Sequence, residues 1–125
     1  MNIPEKLLYT KEHEWVEIIG EEAKIGITDF AQKHLGDIVF VELPKVGAQL
    51  AAGGALGVVE SVKSASDIFS PVAGEVLQVN NVLEDSPEQL NADPYGSWIT
   101  LLKLQGQPED LLDAAAYEAY CRTEE

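Results

Sequence analysis

Lys63 is the one Lys or Arg between Lys45 and Lys103. It lies in Val59-Glu60-Ser61-Val62-Lys63-Ser64-Ala65-Ser66-Asp67, among small and β-branched side chains. A modifying enzyme can find such an isolated amine and acylate it, which removes its charge and leaves a tethered group. Lys63 therefore reads as an attachment point for a cofactor arm. Composition alone also fits a plain solvated lysine, since lysines are mostly exposed. The chain shows no convincing nucleophile–base pair and no Gly-rich phosphate loop, so any reaction would belong to a carried group. With Cys121 as the only cysteine and His13 and His34 as the only histidines, an internal disulfide and a Cys/His zinc site are both disfavoured. Cys121, beside Tyr120 and Arg122, reads as a minor packing residue.

The elements around Lys63 must hold it out. Val58, Val62, Ala65 and Phe69 fit a helical stripe, but Gly53, Gly54 and Gly57 precede them and Ser70-Pro71 follows. These breakers, with valines at 58, 59 and 62, favour strand–turn–strand with Lys63 at the tip. A type I turn suits a tip without Asn-Gly. Upstream, His13–Ile19 and Ala23–Ile27 read as paired strands around Gly20-Glu21-Glu22. Thr28 to Gly36 reads as a short helix, with Thr28 as N-cap, Asp29 at the positive end of the dipole and Gly36 as its stop. Asp37–Leu43 is a strand ended by Pro44, and Val72–Val79 another. Ser86-Pro87-Glu88-Gln89 reads as a capped helix start, and Trp98–Leu104 as the last strand. Pro108 to Tyr120 reads as a helix packing through Leu111, Leu112, Ala115, Tyr117 and Tyr120.

The chain has 125 residues and no linker, so residues 1–125 are expected to form a single domain. The fold class is mainly β: a flattened barrel or sandwich of two antiparallel sheets with short flanking helices and a C-terminal helix. Eight Lys and Arg against 22 Asp and Glu give a net charge of −14. That balance works against nucleic acid and anionic membrane surfaces and favours partners with basic rims. No apolar run approaches a membrane span, and the N-terminus lacks a signal-peptide core. An acidic cytoplasmic monomer is the default, with a mature mitochondrial matrix form the lesser alternative.

Several ordered segments resemble the H protein family of the glycine cleavage system from about Tyr9 to Tyr120. They are Tyr9-Thr10-Lys11-Glu12-His13-Glu14-Trp15-Val16, Ile25-Gly26-Ile27-Thr28-Asp29-Phe30-Ala31-Gln32 and Leu35-Gly36-Asp37-Ile38-Val39-Phe40-Val41-Glu42-Leu43-Pro44. Val59–Asp67, Ser70-Pro71-Val72-Ala73-Gly74-Glu75-Val76 and Asn91-Ala92-Asp93-Pro94-Tyr95-Gly96 complete the set. Ser64, where the family often has Ala, stays in the same size class.

The resemblance implies a lipoyl carrier domain of the barrel-sandwich type, with lipoate joined to Lys63 as N6-lipoyllysine. Such a protein is a non-catalytic component. It takes an aminomethyl group from glycine decarboxylase (P protein), passes it to the aminomethyltransferase (T protein), and is reoxidised by dihydrolipoyl dehydrogenase (L protein). A lipoate ligase or lipoyltransferase would load it. Gly53 and Gly74 would relieve the bends that project the hairpin. The loaded arm carries an amine that should be cationic and seek a carboxylate. Glu14 and Asp67 are candidates for sheltering it. His34 is read first as a helix-end cation and second as a contact to the arm. Glu60 and Asp67, on either side of Lys63, are candidates for guiding the ligase and partner enzymes. The alternative functional reading is an H-like protein relaying lipoate to other lipoyl-dependent enzymes. A biotin carrier is disfavoured because the only methionine is Met1, whereas biotinylated lysines usually sit between methionines. A lipoyl domain of a 2-oxoacid dehydrogenase is disfavoured by the helix-rich C-terminal extension.

Overall fold

The structure, a computed structural model, describes residues 1–124. Runs rich in Val, Ile and aromatic residues give nine strands among those residues: β1 Leu8–Tyr9, β2 Glu14–Ile19, β3 Glu22–Ile27, β4 Ile38–Glu42, β5 Gln49–Leu50, β6 Ala55–Ser61, β7 Ala65–Phe69, β8 Gly74–Val79 and β9 Thr100–Leu104. One sheet has the order β1-β2-β3-β9-β8-β5 and the other β4-β6-β7. Every ladder is antiparallel. The sheets face each other without closing into a barrel. The expected two-sheet architecture is therefore the observed one.

Alternation puts Val16, Ile25, Ile27, Val76 and Leu102 of the larger sheet against Val41, Val59 and Ile68 of the smaller, forming the main core. Most of these side chains are fully buried, each contributing about 1.5–3 kcal/mol of apolar burial. Strand β2 is buried on both faces at its start, because the outward-pointing Trp15 is covered by a second cluster with Leu7, Tyr9, Phe30, Tyr117 and Cys121. Its cross-strand partner is Gly26. A Cβ at Gly26 would come within 2.6 Å of the Trp15 indole, so the glycine makes room for the ring. The indole Nε1 then donates to Pro94 O at 3.0 Å.

Helix α1 (Asp29–Leu35) has the expected ends. Thr28 Oγ1 accepts from Ala31 N, and Gly36 closes the helix at φ 80°. Two further helices are single turns, α2 (Val82–Asp85) and α3 (Gln89–Ala92). The capping box expected at Ser86 does not form. Ser86 instead closes α2, its N–H donating to Val82 O, and α3 begins at Gln89 with no side-chain cap. The last helix, α4, runs Ala114–Glu124, not Pro108–Tyr120. Leu112 is held extended by reciprocal backbone bonds with Tyr9, and Asp113 Oδ1 caps Ala116 N at 2.8 Å. Tyr117 and Cys121 are the buried residues of α4, while Ala115 is exposed and Tyr120 half-buried. Strand β9 begins at Thr100, not Trp98, whose carbonyl accepts from the Asn80 side chain.

Gly53 sits at φ 80°, as a sharp bend before the β6–β7 hairpin requires. Gly74 serves differently: a Cβ there would lie 2.5 Å from Lys103 O, so it permits close approach of β8 and β9.

Candidate functional site

Strands β6 and β7 pair Val59 with Ser66 and Glu60 with Ala65, which leaves Val62 and Lys63 at the tip of the hairpin. Neither residue has positive φ, which excludes the primed turn types and agrees with the sequence expectation. Ser61 organises the turn. Its N–H donates to Ser64 O at 2.7 Å, and its Oγ accepts from Lys63 N at 3.3 Å and Ser64 N at 3.2 Å. Val62 N donates to Asp37 O at 3.0 Å, tying the tip to the chain entering β4. Lys63 is thus exposed on a fixed mount and forms no ion pair among the described residues. Its stem passes over Gly36, where a Cβ would lie 3.6 Å from Lys63 Cε.

Beside the tip lies a cavity of about 540 Å³ between β7 and α1. Its apolar lining is Ile27, Phe30, Ala31, Leu35, Ala65 and Ile68, and its polar lining is Glu12, His13, His34, Ser64, Ser66 and Glu124. One wall is a continuous ring stack: His13 on Phe30 at 4.3 Å between centroids, and Phe30 on His34 at 4.3 Å. An apolar floor with a few convergent polar groups is the usual form of a small-molecule site.

The predicted site residues are divided among several positions. His34 lines this cavity from the last turn of α1, exposed and stacked on Phe30. Glu60 and Asp67 are exposed, on β6 and β7 respectively. Asp67 does not line the cavity, because Ser66 and Ile68 are the inward residues of its strand. Glu14 is 1% exposed, with both carboxylate oxygens engaged. Thr10 Oγ1 donates to Oε1 at 2.6 Å and Phe69 N donates to Oε2 at 3.2 Å. Burial pushes the Glu14 carboxyl up to about 7, against the two hydrogen bonds that favour ionisation. It opens onto a separate hollow of about 290 Å³ with Thr10, Phe69 and Ser70. Glu12 lines both spaces and is the link between them.

The sequence reading missed Glu12, His13, Phe30 and Glu124 as parts of one wall. They come from a loop, α1 and the far end of α4, and no local motif joins them.

The chain as a whole has counterparts among known proteins. The family profile described as "Glycine cleavage H-protein" matches residues 7–124. The glycine cleavage system H protein of Thermoanaerobacter sp. (strain X514) is 53% identical over 122 residues, spanning 96% of this chain and 97% of that one. That of Nitratidesulfovibrio vulgaris (strain DSM 19637 / Miyazaki F) is 56% identical over 120 residues, spanning 95% and 94%. The crystal structure of a glycine cleavage system H protein from Mycobacterium marinum superposes with a TM-score of 0.88 at 36% identity, covering 98% of each chain.

Proposed function

Because this chain belongs to the glycine cleavage H-protein family, we propose that it is a lipoyl-lysine carrier in glycine cleavage, with Lys63 as the attachment point. The observation that carries this reading is the exposed Lys63 amine on a fixed two-residue tip beside a cavity of about 540 Å³.

The residues present fit such a group. The lysine stem lies against Gly36, so nothing at that position blocks movement of a long arm toward α1. Ile27, Phe30, Leu35 and Ile68 offer the cavity an apolar floor. When attached, lipoate supplies a dithiolane that accepts and releases the aminomethyl group. The protein's part is to hold that group at a high effective concentration in each partner's active site. Ser61 and the Val62–Asp37 bond keep the mount rigid. His34 and Glu12 offer polar contacts at the cavity rim.

Glu14 is proposed to shelter a cationic cargo. It is a buried carboxylate without a cationic partner among the described residues, and an amine would favour its ionised form. Asp67 is proposed to act outside, with Glu60, in meeting basic rims of the ligase and partner enzymes. Residues 1–125 are proposed to act as one carrier domain serving glycine decarboxylase, the aminomethyltransferase and dihydrolipoyl dehydrogenase, without catalysing a step itself. No helix among the described residues is long and apolar enough to cross a membrane.

The test is intact-mass and peptide mapping of protein from cells with working lipoate synthesis. The lipoyl mass should appear on the Lys63 peptide and vanish in Lys63→Arg. An unmodified Lys63 would overturn the reading. Glycine–bicarbonate exchange with the cognate decarboxylase then distinguishes service to glycine from relay of lipoate to other enzymes.

A further inference from the structure

His13 is a non-glycine residue in the left-handed region, at φ 68°, and its ring is only 15% exposed. Backbone strain of this kind persists when surrounding contacts over-determine it. Here the contacts run in one line. Thr28 Oγ1 meets Tyr117 Oη at 2.7 Å, and Tyr117 Oη meets His13 Nδ1 at 2.8 Å. His13 Nε2 faces Glu124 Oε1 at 3.6 Å, an electrostatic contact, and Tyr120 Oη donates to the same oxygen at 3.2 Å. The line joins α4 to the N-cap of α1, which carries the wall of the arm cavity.

The arrangement in which neutral His13 accepts at Nδ1 runs from Thr28. Thr28 Oγ1 accepts from Ala31 N and keeps one O–H to give. It gives that proton to Tyr117 Oη, and Tyr117 gives its own to His13 Nδ1. The neutral imidazole then carries its hydrogen on Nε2, toward Glu124. A proton added to Nδ1 breaks this line, because Tyr117 Oη can then only accept from His13.

We propose that His13 is a positioning residue that latches α4 against the arm cavity while neutral and releases it when protonated. The charged and titratable groups facing it are Glu124, Tyr117 and Tyr120 from α4, His34 across Phe30 from α1, and Glu12 from its own loop. Glu124 and Glu12 favour the imidazolium, while His34 and burial oppose it. Burial is the largest of these influences and holds His13 below the ordinary 6.5. The latched form therefore binds fewer protons than the released form, and the latch weakens as pH falls through about 6.5. The seam is narrow enough to open locally, since Tyr117 and Cys121 are the buried residues of α4. Release would expose the cavity at its Glu124 end. The link to the arm rests on the carrier reading above, whereas the latch itself does not.

Cys121, buried in that seam, reports on release. The unlipoylated full chain is labelled with iodoacetamide from about pH 8 to about pH 5.5, each rate divided by that of the denatured chain at the same pH. Protection should fall toward low pH, by about tenfold at most one unit below the ordinary histidine value. His13→Asn, which tolerates the left-handed backbone and does not titrate, should give a flat profile. In the wild type, nitrogen NMR of the His13 ring at about pH 8 should show the Nε2–H tautomer, a readout that needs no variant to fold. A flat wild-type profile, a wild-type slope in His13→Asn, or the Nδ1–H tautomer would each overturn the proposal. An unmodified Lys63 would overturn the carrier reading and leave the latch result standing.

Discussion

The hairpin tip and the α4 wall face the same cavity but are built in opposite ways. The tip is held by bonds within four residues, Ser61 to Ser64, plus the single backbone bond from Val62 to Asp37. The wall is held by rings and hydroxyls from positions 13, 28, 30, 117 and 124. At the tip, Val62, Lys63 and Ser64 are exposed, and Ser61 alone ties the turn through its side chain. In the wall, Tyr117 is fully buried, stacked on Tyr9 at 4.6 Å, and its hydroxyl meets both Thr28 and His13. One exposed amine on a locally held turn thus sits beside stability spread over many residues.

Paired substitutions sharpen this contrast. Lys63→Arg should abolish lipoylation, read by intact mass, while shifting unfolding free energy by no more than about 0.5 kcal/mol. Tyr117→Ala should show the opposite pattern: about 3–5 kcal/mol lost in denaturant unfolding, with Lys63 still lipoylated in the folded fraction. If both variants unfolded alike, the division of labour would be wrong.

Glu14→Gln tests the neighbouring hollow by pH. The native chain holds a proton on Glu14 up to about 7, and the unfolded chain releases it near 4.5. Stability from this group is therefore complete at low pH and is lost as pH rises from 4.5 to about 7. Gln removes that loss while keeping an acceptor for Phe69 N. The variant should be more stable than wild type at about pH 8, by at most about 3 kcal/mol, and equal to it near pH 4. Equal stability at both pH values would show that the Glu14 site is wetter than its 1% exposure suggests.

Thr28→Ala removes the α1 cap and one partner of Tyr117, with an expected loss of about 1–2 kcal/mol in thermal or denaturant unfolding. The smallest effect should come from Glu60→Lys. On an exposed strand position it should leave unfolding unchanged and slow only the rate of lipoylation. An unchanged rate would remove Glu60 from the recognition surface.

The same contrast explains what could be read from the sequence. The hairpin was legible because glycines, valines and Ser-Pro punctuate it locally, and α1 because Thr28 and Gly36 mark its ends. Ser86 misled because a cap motif competes with whatever backbone geometry the preceding turn imposes, and here α2 claimed the residue. The start of α4 was misplaced because a long-range bridge, Tyr9 to Leu112, overrides helical propensity over 108–113. Glu14 was read as a sheltering carboxylate without its burial, because nothing local signals that Phe69, 55 residues away, will close over it. His13 gave no sign of its partners, which lie 104 residues away in the case of Tyr117.

One practical matter follows from where α4 ends. Glu124 lines the cavity, so a peptide tag or fluorescent protein fused behind this helix would emerge beside that space. The hairpin β2–β3, turning at Gly20 where a side chain would meet nothing within 4 Å, offers an insertion point for a probe on a strand connection outside that space.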